Sequence, residues 1–315
     1  MTGRIALSVL GCLIVLAAAA LLGPSLEGPG GDFIFWQLRV PRVLVGALVG
    51  ATLALSGAVF QALFDNPLAT PSTVGTTAGA TLGALAALAF DVSFELEGLP
   101  IVTVSAFAGA LAASLLVASV ASAGRAHTSD VLLAGIAVTL AASALATGIQ
   151  YVSEARAIFS AVQWSLGQLP QVGYRGAILL APFAVVTSAG MLALTRGLQS
   201  LALGEELAHA QGVDVPRLRF FALTLGSLGV AACVAWCGPI AFVGLIVPHL
   251  VRLVVGPSLR AVLPLSLLWG AGFLVFCDTV SRLLLPDREL PVGVITAALG
   301  APALVVLIAR ARRDG

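Results

Sequence analysis

Residues 204–219 read GEELAHAQGVDVPRLR, one of the few long polar runs in a very apolar chain. Glu205, Glu206, His209, Gln211, Asp214, Arg217 and Arg219 crowd into it. Gly212 is a natural helix stop, because a residue without Cβ takes positive φ at no steric cost. Asp214 is placed to cap the next helix, with Pro216 tolerated in its first turn. The pattern predicts two short helices joined at Gly212 and held outside a bilayer between two spanning segments. Such an element is ill suited to moving substrate. It is suited to passing motion from a soluble partner to the membrane part. An ordinary solvated loop with a few caps fits the pattern about as well.

Outward from this run the chain is greasy. Hydrophobic residues make up 59% and charged residues 10%, with mean hydropathy +1.06, whereas about a quarter of a soluble domain is charged. This is the composition of a polytopic membrane protein. At roughly 20 apolar residues per span, there is room for about eight to ten helices. Apolar runs fall at 5–23, 40–63, 73–90, 100–120, 131–152, 177–195, 218–236, 240–254, 263–285 and 292–309, ten in number. The eighth is short and carries Pro248, which predicts a broken or tilted helix. Segment 157–169 is semi-polar and too short to span, so it reads as a re-entrant or surface helix. Met1–Leu22, with Arg4 before an apolar run ending at Gly23-Pro24, resembles a signal peptide. Its length and the spans that follow favour an uncleaved first helix. The fold class expected is all-α, one transmembrane domain over 1–315 with a polar element at 201–219.

Charge narrows the function. A formal net charge of +1 argues against a nucleic-acid partner. All sixteen basic residues are Arg. Without Lys the chain cannot carry a Walker-type phosphate loop, so any ATP would be hydrolysed by another subunit. With the N-terminus inside, Arg4, Arg125, Arg196, Arg217, Arg219, Arg252, Arg260, Arg310, Arg312 and Arg313 lie inside. Arg39, Arg42, Arg156, Arg175, Arg282 and Arg288 lie outside. Ten against six favours cytoplasmic termini and a cytoplasmic 204–219 element. Cys12, Cys233, Cys237 and Cys277 all lie in apolar runs and read as small buried hydrophobes, including the Cys233/Cys237 pair.

Several constellations bear on function. Arg39-Val40-Pro41-Arg42 sits at the outer mouth of the second run, against the positive-inside bias. The arginines either snorkel or pair with Asp32 or Glu27, or form a cationic patch for an acidic extracytoplasmic partner. Asp65-Asn66-Pro67-Leu68-Ala69-Thr70-Pro71 ends the second run, where two prolines free backbone carbonyls. That segment is a plain turn or a water-lined path. His249 and Arg252 share a helical face and are positioned to meet the carboxylates of 204–219. No Glu or Cys lies at metal-ligand spacing from His249. Asp278 and Arg282 are four apart and suited to pairing. Otherwise a charge inside a span is a functional candidate. Glu289-Leu290-Pro291 opens the last run. Gly46/Gly50 and Gly75/Gly79/Gly83 form small-residue stripes for close helix packing. No HExxH, GxSxG or paired-aspartate motif appears, so the chain does not read as an enzyme.

Taken in order, these stretches resemble the permease subunits of type II ABC importers, which take up iron–siderophores, haem and cobalamin. The matching stretches are RVPR at 39–42, SGAVFQALFDNPLATPSTVG at 56–75, LLAG at 132–135 and LGEELAHAQGV at 203–213. GPIAFVGLIVPHLVR at 238–252, DTVSR at 278–282 and ELPVGVITAALGAP at 289–302 complete the set. The resemblance implies a ten-helix subunit in a bacterial cytoplasmic (inner) membrane. It implies a dimer, a homodimer for preference, with two ATP-binding-cassette ATPase subunits below and one extracytoplasmic substrate-binding protein above. No cofactor is implied for this chain; ATP and Mg belong to the partner ATPase. Gly204, Glu205, Glu206, His209, Gly212, Asp214 and Arg217 match the ATPase-coupling element. Arg39, Arg42 and Arg282 match positions that meet acidic residues of the binding protein in a cobalamin permease. Thr128 and Ser129 match the start of the fifth span, the inner gate in relatives, with Asn66 and Pro67 beside the pathway. His127 departs from that relative's small polar residue. The cargo expected is a ferric siderophore, with haem or cobalamin as alternatives. An ion-coupled secondary transporter is the alternative from another class; it would need a mid-membrane carboxylate, for which Asp278 is the candidate.

Overall fold

The computed structural model describes residues 2–22, 31–90, 95–96, 99–121, 128–171, 173–285 and 288–311. The chain is almost wholly helical. Helix α1 (Thr2–Leu21) precedes the single turn α2 (Gly31–Phe33), a π-helical turn at Ile34–Arg39, and α3 (Val40–Leu63). A 3-10 turn at Pro71–Val74 leads into α4 (Thr76–Ala89), and the strand pair Glu95–Leu96 and Leu99–Pro100 leads into α5 (Ile101–Ala121). Then follow α6 (Thr128–Val152), α7 (Ala155–Ser165), α8 (Arg175–Ala193), α9 (Thr195–Leu201) and α10 (Glu205–Ala210). The last four are α11 (Val215–Cys237), α12 (Val243–Val255), α13 (Leu259–Leu283) and α14 (Val292–Ala311).

Among the described residues, six helices are long and apolar enough to cross a membrane, ending in α3, α5, α6, α8, α11 and α13. Four shorter apolar helices lie within α1, α4, α12 and α14. Together they answer to the ten apolar runs. The semi-polar segment forms α7, with no buried residue.

Helix α3 is the hub. It packs on α13, α11, α8 and α12, and 78% of its best apolar window is buried. Glycine makes that possible. A Cβ on Gly50 would lie 2.2 Å from the Gly270 carbonyl oxygen, and one on Gly57 would lie 1.9 Å from that of Gly244. Lipid offers no hydrophobic drive between helices, so such backbone approaches supply the dispersion contact that holds the bundle. A second contact joins α4 and α5, where Gly79 abuts Gly109 and Gly83 abuts the Ser105 carbonyl. Gly75 is not part of that stripe: at φ +81° it is the residue from which α4 starts. Between helices, the Thr76 and Ser114 hydroxyls meet at 2.8 Å, so neither is left unpaired in the apolar interior.

Of two expectations about breaks, one is corrected and one is met. Helix α12 runs unbroken through Pro248. The interruption lies before it, at residues 238–242, where Phe242 takes a left-handed φ of +68°. The segment after α3 is likewise non-helical, with Asp65 at φ +45°.

Candidate functional site

One end of the bundle carries the polar element. Gly204 (φ +115°) starts α10 and Gly212 (φ +80°) follows it. Nothing lies within 4 Å of a Cβ built on either, so backbone conformation rather than crowding calls for glycine there. The Asp214 carboxylate accepts from the Arg217 amide at 3.1 Å, capping α11, and pairs with the Arg217 guanidinium at 3.0 Å. The second helix is therefore not short, as the sequence suggested: α11 runs directly from this cap into the membrane. Ala208, Val215, Leu218 and Arg219 are buried and anchor the element. Glu206, His209 and Gln211 are exposed, together with Leu203 and Leu207. Buried Arg219 holds Glu205 at 2.9 Å, fixing α10 on the first turn of α11. The result is an anchored, exposed knob of mixed charged and apolar character, with Arg217 among its exposed charges.

His249 and Arg252 do not reach the carboxylates of this knob in the way the sequence suggested. Glu205 and Asp214 are engaged by arginines of the element itself. Arg252 instead donates to the Gln61 side-chain oxygen, while the Gln61 amide donates to the carbonyls of Gly244 and Leu245 at 3.2 Å each. Gln61 thereby ties the end of α3 to the start of α12.

The opposite end of α3 carries the arginines, and none forms a free patch on this chain. Arg42 is 6% exposed and grips Asp278 of α13 through Nε and Nη2, at 2.8–3.1 Å. Its Nη1 donates to Glu289 at 2.7 Å. Asp32 is not among its partners in the described residues, and Glu27 lies outside them. Arg282 approaches the other Asp278 oxygen at 3.2 Å, as the four-residue spacing predicted, and donates to the Ala19 carbonyl. Arg39, also buried, donates to the Leu21 carbonyl. Both therefore satisfy orphan carbonyls at the C-terminal end of α1. All three arginines thus have partners within the bundle.

Between the two ends lies a cavity of about 310 Å³, bounded by the two non-helical breaks. Leu68, Thr70, Pro71 and Ser72 line one side, and residues from Pro239 to Phe242 line the other. Asn66 and Pro67 form the turn just before it, with the Asn66 side chain accepting from the Leu68 amide at 2.9 Å. Two further helices pack beside the cavity. Gly300 of α14 meets the side chain of the lining residue Phe242, and Gly135 of α6 meets the carbonyl of Thr73, next to the lining residue Ser72. Thr128 begins α6 and Ser129 is exposed beside it, while His127 falls outside the described residues.

No group of His, Cys, Asp and Glu among the described residues is arranged to hold a metal ion. The four cysteines are free and buried.

A model of the FecCD transport family matches residues 3–310. The chain belongs to that family. Among curated FecCD relatives, it is 44% identical over 205 residues to the cobalamin import system permease BtuC of Halobacterium salinarum, covering 65% of this chain and 55% of that one. It is 36% identical to the hemin transport system permease HmuU of Yersinia pestis, over 67% of this chain and 63% of that one. With the Fe(3+) dicitrate permease FecD of Escherichia coli the figures are 37%, 66% and 64%. The matches thus span little more than half to about two thirds of those relatives. A solved structure described as an inward-facing metal-chelate type ABC transporter superposes with TM-score 0.86 at 31% identity. It covers 96% of this chain and 98% of its own.

Within this FecCD chain, sequence reasoning missed Gln61, Gln171 and the role of Glu289. Gln61 carried a usable signal, since a polar amide inside an apolar run implies a buried partner. Gln171, which donates to Glu289 at 3.1 Å, carried none.

Proposed function

We propose that this chain is the membrane-spanning permease subunit of an ATP-driven importer of a metal chelate, with a ferric siderophore as the expected cargo. The observation that carries the reading is the anchored knob at 204–219, on a chain of the FecCD family. A polar element clamped to its span by a buried arginine transmits force, where a slack loop would absorb it. The knob exposes Leu203 and Leu207 among acidic groups, a surface that a soluble ATPase can grip. The chain has no phosphate loop of its own, so the partner supplies two ATPase subunits with ATP and Mg. A second permease copy and an extracytoplasmic binding protein complete the assembly. Both termini and the knob face the cytoplasm, which the arginine distribution supports.

The cargo reading has two supports. Cobalamin, hemin and ferric citrate, named for the relatives, are all metal chelates. The central cavity is walled largely by apolar side chains, suited to a bulky chelate handled by shape. The ion-coupled alternative loses its candidate carboxylate, because Asp278 is held by Arg42 and Arg282.

The test is reconstitution. Liposomes holding this chain with its ATPase should accumulate ferric siderophore only when binding protein and ATP are both present. Uptake driven by a proton or sodium gradient without the ATPase would overturn the reading.

A further inference from the structure

The carboxylates on Arg42 are unequal. Asp278 is 2% exposed and takes Nε and Nη2 together, a bidentate hold inside the bundle. Glu289 is 49% exposed and takes only Nη1. The first bond is sealed from water; the other lies at the rim, where water and another carboxylate can compete for it. Arg42 is thus preset by Asp278 with one edge turned toward an exchangeable anion.

Glu289 is also connected. Its carboxylate accepts from Gln171 at 3.1 and 3.3 Å. The amide of the next residue, Leu290, donates to the Ser281 carbonyl at 3.3 Å. Two residues further on α14 begins, where the Gly293 amide donates to the Gly167 carbonyl at 3.1 Å. Helix α14 then passes Phe242 at the cavity wall. The Arg42–Glu289 bond is therefore one of several ties at the start of α14, and of these only the bonds of Glu289 are made by an exposed side chain.

We propose that Glu289 is a displaceable internal ligand of Arg42. A carboxylate of an acidic docking partner takes its place on Nη1, and the freed Glu289 loosens the outer end of α14, which is then held by its backbone bonds. The partner is the extracytoplasmic binding protein, so the inference rests on the function proposed above. Docking and loosening of the cavity wall become one event, because a single guanidinium edge serves either carboxylate. The scheme also explains how a buried arginine can take part in docking: it is buried beneath the group that the partner replaces.

The test uses the reconstituted transporter with its ATPase, and docking of the binding protein is measured by interferometry. Glu289→Gln removes the internal competitor and should tighten docking about threefold or more, the scale of a rim ion pair. Glu154→Gln, the same charge change at the exposed start of α7, should leave docking unchanged. A merely structural Glu289 predicts equal or weaker docking in E289Q, and that result overturns the proposal. So does equal tightening in E154Q, which would make the effect one of net charge. The release step is read separately. Gln171→Cys and Glu289→Cys bridged by a short bis-maleimide should dock but not transport, and transport at the unbridged rate overturns it. If the wild-type complex captures no binding protein, the functional reading has failed. If the wild type docks and E289Q docks no tighter, only the present inference has.

Discussion

Arg42 shows what one residue decides. Its guanidinium and the Asp278 carboxylate are both withdrawn from water, where an isolated charge is costly and each needs the other. Removing one partner leaves the other uncompensated, at about 3–5 kcal/mol. Asp278→Asn, which also strips Arg282 of its counter-charge, should therefore lower the thermal midpoint of the purified protein sharply in detergent. An unchanged midpoint would show that the cluster is not structural. Charge reversal at Arg42 consequently reports on the bundle before it reports on docking, and the milder Glu289 variants are the proper probe of the outer face. The sequence predicted the Asp278–Arg282 pair because four residues make one helical turn. It did not reveal Arg42 as a partner of Asp278, because that contact depends on how α3 and α13 lie together, 236 residues apart in the chain.

Elements carry the next set of consequences. The knob was legible in Gly212, Asp214 and Pro216, since capping and left-handed turns are local chemistry. Its clamp was not, because Arg219 lies in the first turn of a span and its burial is set by tertiary packing. If Glu205–Arg219 fixes α10, then Glu205→Arg or Arg219→Glu alone should reduce co-purification of the ATPase. The double reversal should restore it. With Glu205 44% exposed, the pair contributes only about 1 kcal/mol after screening, so the effect is on coupling more than on folding. Failure of the double reversal to recover binding would remove the clamp. Close helix contacts behave differently. Gly57→Val puts a side chain where the Gly244 backbone already sits, and overpacking costs about 1–3 kcal/mol or more. Monodisperse protein should be lost in G57V yet kept in Gly11→Val, where a Cβ meets nothing within 4 Å. Equal yields would contradict the packing account. The misplaced break belongs to this scale too. Proline within an apolar helix is tolerated where neighbours satisfy the freed carbonyl. The left-handed Phe242 that does break the chain has no signature in residue type.

At the scale of the whole molecule, the ten apolar runs were legible because hydrocarbon forces backbone groups to pair within a helix. Which helix faces what was not, since greasy residues serve lipid, core and partner alike. The structure separates them: α3 has 78% of its best window buried, and α6 only 17%. On α6, Leu133, Ile136 and Leu140 are exposed at helical spacing, one continuous apolar face. Lipid or a second copy must cover it, and the two differ in a measurable way. If two permeases meet through α6, Leu140→Cys should give an oxidant-dependent homodimer in native membranes. Phe183→Cys on α8 serves as the control, being partly exposed on a helix outside that contact. The native thiols are buried and should stay silent. A fluorophore on the thiol introduced in L140C should then be shielded from a lipid-borne quencher in the assembled complex. Strong quenching without a cross-linked dimer would place α6 against lipid and move the copy-to-copy contact elsewhere on the bundle.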